Sequence, residues 1–447
     1  MIFKKNLFLL KNKIIYIYMI DYKHKYLKYK FKYFFFKKQL GGNLFLKAIL
    51  EEDIKTISKL FLENPEIINQ HIQFDGYNRT PLSIAINENK QSVIDFLFRN
   101  GVNINLQDSN ENVPLFVAIE KNNIKVINFL IENNANVNYT KKNGFSVLHL
   151  AVIKGSENII FELLKKHVIY KSNSSNIYAP IFLAVILRKS KLIKLLCSKT
   201  SDNGKDEYFK EVTPLFLAVS NNDIETVGYL LECNVDLELE CKGSTPLYKA
   251  VELGFIGIVL LLLTYGALTS KINEYTELTP LHIAAKKGHT EIIKALLKNN
   301  TKLYKTVENK CLLSPLIEAI INGHFDVVKV FIDNKVDINF TTSNNKIALI
   351  EAVIKGNLPI IKILLDNGAF INKKTNGTTA LIEAIKHGKL DVINLLISYG
   401  VDLNLSNNKL KTPLDIAYMC QTTGNVENIE QIIQLLEDED ADYTIII

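Results

Sequence analysis

The sequence is poor in cysteine and has no tryptophan: 5 Cys occur in 447 residues, and Phe and Tyr supply all the aromatics. The cysteines are Cys197, Cys233, Cys241, Cys311 and Cys420, an odd set in which no two have the C-x-x-C spacing of a zinc or redox site. So few, so widely spread, they favour a reducing intracellular setting. Long apolar runs are also missing. Leu7–Leu10 and Ile14–Ile20 fall far short of the roughly 18 residues a spanning helix needs. Lysines interrupt both runs and no small-residue cleavage site follows, which argues against a secretory signal. There is no P-loop, no G-x-S-x-G, no H-E-x-x-H and no G-x-G-x-x-G, so neither an enzyme nor a cofactor or metal is expected.

What is present is an apolar content of 47%, enough for a core, and an uneven charge. Residues 1–40 hold eleven Lys and one Asp, a charge of +10 against a whole-chain +6, which leaves the remainder near −4. The basic character therefore belongs to an N-terminal arm, residues 1–42. The richness in Lys, Asn and Ile reads as base composition of the genome rather than as function.

Beyond the arm a six-residue block recurs. Its clearest copy is Thr279-Pro280-Leu281-His282-Ile283-Ala284, and related copies begin at Thr80, Val113, Ser146, Ala179, Thr213, Thr245, Ser314, Ile347, Thr379 and Thr412. Successive starts lie 32 to 35 residues apart. A degenerate copy begins at Asn43, with Ala48 in the sixth position. Each residue type has a physical task. Thr accepts a bond from an orphan helix N–H, and Pro fits the first turn, where no N–H is needed. Leu enters the core, and Ala lets a neighbouring helix come close. Nine residues past the cap stand Gly155, Gly254, Gly288, Gly323, Gly356 and Gly388, or Asn89, Asn122 and Asn222, which suit a left-handed helix end. Arg188 and Gln421 break that pattern, so those two repeats are expected to end their first helices differently. A second apolar-periodic helix follows, as in Thr290–Leu297, and then a loop.

Helix, turn, helix and loop at about 33 residues resembles the ankyrin-repeat family over roughly residues 43–436. The resemblance implies an all-α solenoid of eleven repeats and a probable twelfth: a degenerate cap over 43–75, repeats from about 76, and an acidic then apolar tail over 437–447. In such a solenoid one repeat buries its apolar face only against its neighbours, so the array is expected to be one continuous domain. The resemblance also implies that His149 and His282, fourth in their blocks, make local hydrogen bonds that tie repeat to repeat. His289, His324 and His387 lie beside helix ends, where a structural role again fits better than a metal.

Ankyrin proteins bind partners with loop tips and the exposed side of the first helix. Carried over, that face includes the seventh and eighth residues after each capping position, together with the residue before each block. Most of these are polar, such as Glu120 and Lys121 or Lys286 and Lys287. Phe145, Ile153, Tyr178, Ile186 and Leu187 are apolar and clustered in two adjacent repeats. They are the candidate partner-binding residues, since exposed apolar patches with aromatics mark interfaces. The competing reading is that they pack on the next loop. A non-enzymatic, monomeric interaction scaffold follows.

The arm leaves alternatives open. Tyr22, Tyr26, Tyr29 and Tyr33 share one face of a helix among lysines. Such a helix could lie on an anionic membrane, bind single-stranded nucleic acid, or pack as an additional cap, and a disordered arm is the remaining alternative. An adaptor tethered by this arm is the alternative function. Residues 19–42, from Met19-Ile20-Asp21-Tyr22 to Gln39-Leu40-Gly41-Gly42, resemble a leader found on proteins of amoeba-infecting giant DNA viruses. That resemblance implies a viral protein in the host cytoplasm, acting on a host protein. Residues 1–18 would then lie upstream of the leader. The eleven residues after Leu436 are too few for the F-box-like ending of poxvirus ankyrin proteins.

Overall fold

The computed structural model describes residues 44–166, 168, 179–197, 206, 211–299, 314–424, 426–439 and 441. Among them are 24 α-helices arranged as twelve successive pairs. The degenerate copy forms the first pair, Leu44–Glu51 and Ile54–Glu63, and each of the eleven blocks opens a further one. The helical solenoid expected from the repeat is therefore present. The only strands among the described residues are Ile72–Phe74 and Tyr77–Arg79, an antiparallel hairpin at a loop tip.

The block residues act as their chemistry requires. Thr80, Ser146, Thr213, Thr245, Thr279, Ser314, Thr379 and Thr412 each accept a bond from the backbone N–H three residues on, at 3.1–3.4 Å. Val113, Ala179 and Ile347 stand at the same position without a side-chain cap. The sixth-position alanines, Ala85 through Ala417, are all 0% exposed. A larger side chain there would force neighbouring helices apart, at roughly 1–3 kcal/mol.

Arg188 differs from expectation. It has φ 55°, like Asn89 at 54° and Asn222 at 54°, so its helix Pro180–Ile186 ends as the others do. The left-handed turn is dictated by the packed helix pair, and Arg tolerates it. Gln421 does break the register: its helix runs over Pro413–Thr423 and stops at Gly424, φ 63°.

The chain divides into two compact units at Asp236/Leu237. In the first, helices pack like on like, as Pro114–Glu120 does on Val147–Lys154. Cys197 and Cys233, 36 residues apart at the ends of successive second helices, form a disulfide with Cα atoms 5.6 Å apart. In the second unit the same scheme runs from Pro246–Leu253 to Ile429–Asp438. That last helix carries Glu437 and Asp438 of the acidic run, and Glu437 accepts a hydrogen bond from the Tyr418 hydroxyl.

Loops are tied from one repeat to the next by side-chain oxygens that accept backbone N–H bonds. In the first unit Asn69 takes Asn103 N–H, Asn105 takes Asn136 N–H and Asp206 takes Asp236 N–H, each at 2.8 Å. In the second, Glu238 takes Leu268 N–H and Asn339 takes Phe370 N–H at 2.8 Å. Each such bond satisfies a donor that a helix or sheet would otherwise occupy.

Candidate functional site

The first-helix face is built by the turn that ends each first helix. At Gly155, φ 73°, the carbonyls of the last helical turn are left without intrahelical donors. Lys189 of the following repeat supplies one: its Nζ donates to Val152 O at 3.1 Å and Ile153 O at 2.6 Å. Burial lowers the Lys189 pKa. A cation at a helix C-terminus is favourable in itself, so the contact both joins repeats and fixes the end of the helix carrying Ile153. In the second unit His324 hydrogen-bonds Lys286 O at 3.0 Å in the same way.

The candidate residues lie beside this joint. Phe145 and Ile153 flank one first helix, and Ile186 and Leu187 end the next, which packs against it. All four are half-buried rather than freely exposed. The Phe145 ring stacks on His149 at 5.4 Å and leans on Phe116 at 6.2 Å. Tyr178 lies outside the described residues.

His149 and His282 make the local hydrogen bonds that the resemblance implied, each within its own block. Each Nδ1 meets the capping hydroxyl, at 2.6 Å to Ser146 Oγ and 2.8 Å to Thr279 Oγ1, and also accepts that residue's N–H. Both rings are at most 1% exposed. Burial lowers the His289 pKa, aided by the nearby charges of Lys287 and His324, while a backbone hydrogen bond at Glu252 opposes. No group of three metal-ligating side chains occurs among the described residues. No helix among them is long and apolar enough to cross a membrane.

Other positions expected on this face depart from it. Ser220 is buried, its hydroxyl donating to Phe216 O at 2.8 Å, and Arg79 is only 9% exposed. Sequence reasoning missed Tyr275 and Leu410, both 75% exposed in loops before their blocks. A large apolar residue four or two places before the capping Thr was the available signal. On the second helices an open groove of about 680 Å³ is lined by Phe325, Leu358, Pro359, Ile363 and Leu395, with Lys362, Asp366 and Asp391.

A family model described as "Ankyrin repeats (3 copies)" matches residues 44–141, 87–176, 115–206, 181–274, 281–375 and 349–446. Similar curated proteins include alpha-latrocrustotoxin-Lt1a of Latrodectus tredecimguttatus, 28% identical over 107 residues, which are 24% of this chain and 8% of the toxin. Glycerophosphocholine phosphodiesterase GDE1 of Candida albicans is 34% identical over 103 residues, 23% of this chain and 9% of that protein. The putative E3 ubiquitin-protein ligase XBAT34 of Arabidopsis thaliana is 33% identical over 88 residues, 19% of this chain and 23% of that protein. The chain thus spans less than a quarter of the length of each. Among solved structures, the ankyrin repeat domain of Bcl-3 shares 27% identity at a TM-score of 0.43, covering 46% of this chain and 93% of that domain. The human ASB11 ankyrin repeat domain shares 24% identity at 0.43, covering 50% of this chain and 98% of that domain.

Proposed function

The chain belongs to the ankyrin-repeat family, whose repeats mediate protein–protein interaction, and from that premise we propose that it is a non-enzymatic scaffold holding one protein partner on its first-helix face. The observation that carries the placement is the cluster of Ile153, Ile186 and Leu187 on adjoining first helices with Phe145 just before one of them, where two other repeats put Glu120 and Lys121 or Lys286 and Lys287. Half-buried apolar side chains of this kind supply contact area already ordered before binding. Tyr178 joins them by position in the repeat. The partner is a host protein and the scaffold a monomeric viral one in the host cytoplasm, a reading supported by the leader-like residues 19–42.

The test is a pull-down from infected or expressing cells with Tyr178→Asp and Leu187→Asp in one chain. Burying two unpaired carboxylates at an interface should cut recovery of the partner at least about tenfold, with the helical circular dichroism signal unchanged. An intact fold that still retains its partner defeats this placement. The +10 charge of residues 1–40 favours a second reading, in which the arm tethers the scaffold to an anionic membrane or nucleic acid. Deleting residues 1–40 then relocates the protein in cells; an unchanged location removes that reading.

A further inference from the structure

The fifth residue of each block sits midway along the first helix, between its neighbours. In the first unit this column is Ile84, Val117, Leu150, Leu183 and Leu217, apolar and at most 8% exposed. In the second unit it becomes Lys249, Ile283, Glu318, Glu351, Glu383 and Ile416. Charge has entered a column that packing alone would fill with aliphatic carbon.

Three of the four charged members are answered within the chain. Lys249 Nζ meets Glu252 at 2.6 Å. Glu351 meets Lys346 Nζ at 3.1 Å. Glu383 accepts from Lys386 Nζ at 2.8 Å and Thr378 Oγ1 at 2.7 Å. Glu318 is the exception. It is 6% exposed, its helix Pro315–Ile321 lies between Pro280–Lys287 and Ala348–Lys355, and among the described residues its carboxylate has neither a hydrogen bond nor an ion pair. Lys286 and Lys346 are the charges that face it, and Lys346 is already engaged by Glu351. Ile283, at the same level on the preceding helix, is 6% exposed. Packing withdraws this carboxylate partly from water, and a cation with N–H donors that reaches it is favoured.

We propose that Glu318 anchors a docking site on the first-helix face of the second unit, and that its occupant is an arginine side chain carried by a segment of a partner protein. Arginine fits better than lysine, because a weakly hydrated planar guanidinium gives up less on leaving water and offers paired N–H donors to one carboxylate. The neighbouring Glu351 and Glu383 are neutralised by their own lysines, so a single cation is selected rather than a basic run. The inference rests on the scaffold reading but not on the Phe145–Leu187 patch, which belongs to the other unit.

The experiment uses the full chain and an array of end-capped nonapeptides with uncharged flanks, each made with arginine, citrulline or norleucine at the centre. The wild-type protein should hold arginine-centred peptides at least about tenfold more tightly than their citrulline twins. Glu318→Gln should bring that ratio to about one, with a melting temperature at pH 7 equal to or above wild type, since an unpaired buried charge is removed. Lys286→Gln, which removes a cation that faces Glu318, should raise the ratio. Equal retention of arginine and citrulline peptides by the wild type overturns the proposal and leaves the scaffold reading to the pull-down above. A ratio unchanged by Glu318→Gln overturns it as well. So does a lower melting temperature in Glu318→Gln or Lys286→Gln, which would mark the two as an internal pair. If no peptide is retained by any form, the docking site and its occupant both fall.

Discussion

Glycines at the turns serve two distinct purposes. Gly400, φ 74°, has open space where a Cβ would stand, so only its backbone conformation matters. Gly388, φ 61°, would place a Cβ 2.5 Å from Glu427 O, so it also admits the next repeat's backbone. Gly400→Ala should therefore cost about 1–2 kcal/mol, the left-handed penalty alone. Gly388→Ala should cost more, because a backbone carbonyl has to move. Amide exchange in helix Ile429–Asp438 reads the difference, and equal protection in the two variants contradicts it. Buried glutamates likewise differ by partner. Burial by itself raises Glu383, but the hydrogen bonds from Lys386 and Thr378 and the charges of Lys386 and His387 outweigh it, leaving its pKa lowered. Its contribution is thus present above the ordinary Glu value and lost as pH falls through the lower folded one. Burial raises Glu318, against the pull of Lys286 and Lys346, so its contribution is present below the ordinary value and lost as pH rises through the folded one. Urea midpoints should show Glu383→Gln weaker than wild type at pH 7 with the gap closing in acid. Glu318→Gln should show no deficit at pH 7, and parallel pH profiles for both variants would refute these assignments.

At the scale of elements, repeats are joined by three devices: buried alanines that let first helices touch, loop side chains that take the next repeat's N–H groups, and residues such as Lys189 that cover the preceding helix end. The Cys197–Cys233 bond adds a covalent joint between the helices Ser190–Cys197 and Ile224–Glu232. Spacing did not disclose it, since 36 residues is the step between two successive blocks plus two, and only stacking brings the two helix ends together. It also runs against the reducing setting favoured by the cysteine count, where the two would stand as thiols. Closing a loop of this length is worth about 2–4 kcal/mol. Reduction, or Cys197→Ser, should speed amide exchange in Ser190–Cys197 and leave Leu390–Ser398 unaffected. Equal exchange in the oxidised and reduced protein shows the bond to be dispensable.

Across the whole molecule, the chain is built from short-range couplings. The bonds between repeats named above span 30 to 38 residues, and the chain settles into two compact units. Such a chain does not unfold in one step. Scanning calorimetry should give a calorimetric enthalpy clearly larger than the van't Hoff value; coincidence of the two would show a single cooperative block instead.

The repeat, its caps, its alanines and its helix pairs were legible in the sequence because they are local. A Thr-Pro-Leu block carries its own helix start, and a spacing of 32 to 35 residues carries the stacking rule. The candidate patch was legible only as positions. Where Phe145 leans, and how the end of the helix carrying Ile153 is covered, depended on Phe116 and Lys189 arriving from neighbouring repeats. Arg188 shows the same limit, since its left-handed turn was imposed by the packed pair against its own preference. The sequence by itself determined the family and the register, since those depend on residue type at fixed separation. Only the tertiary structure decided that Cys197 meets Cys233 and that Glu318 is packed between neighbouring first helices with no ion pair among the described residues. Both facts depend on distances between neighbouring repeats, which no single repeat contains.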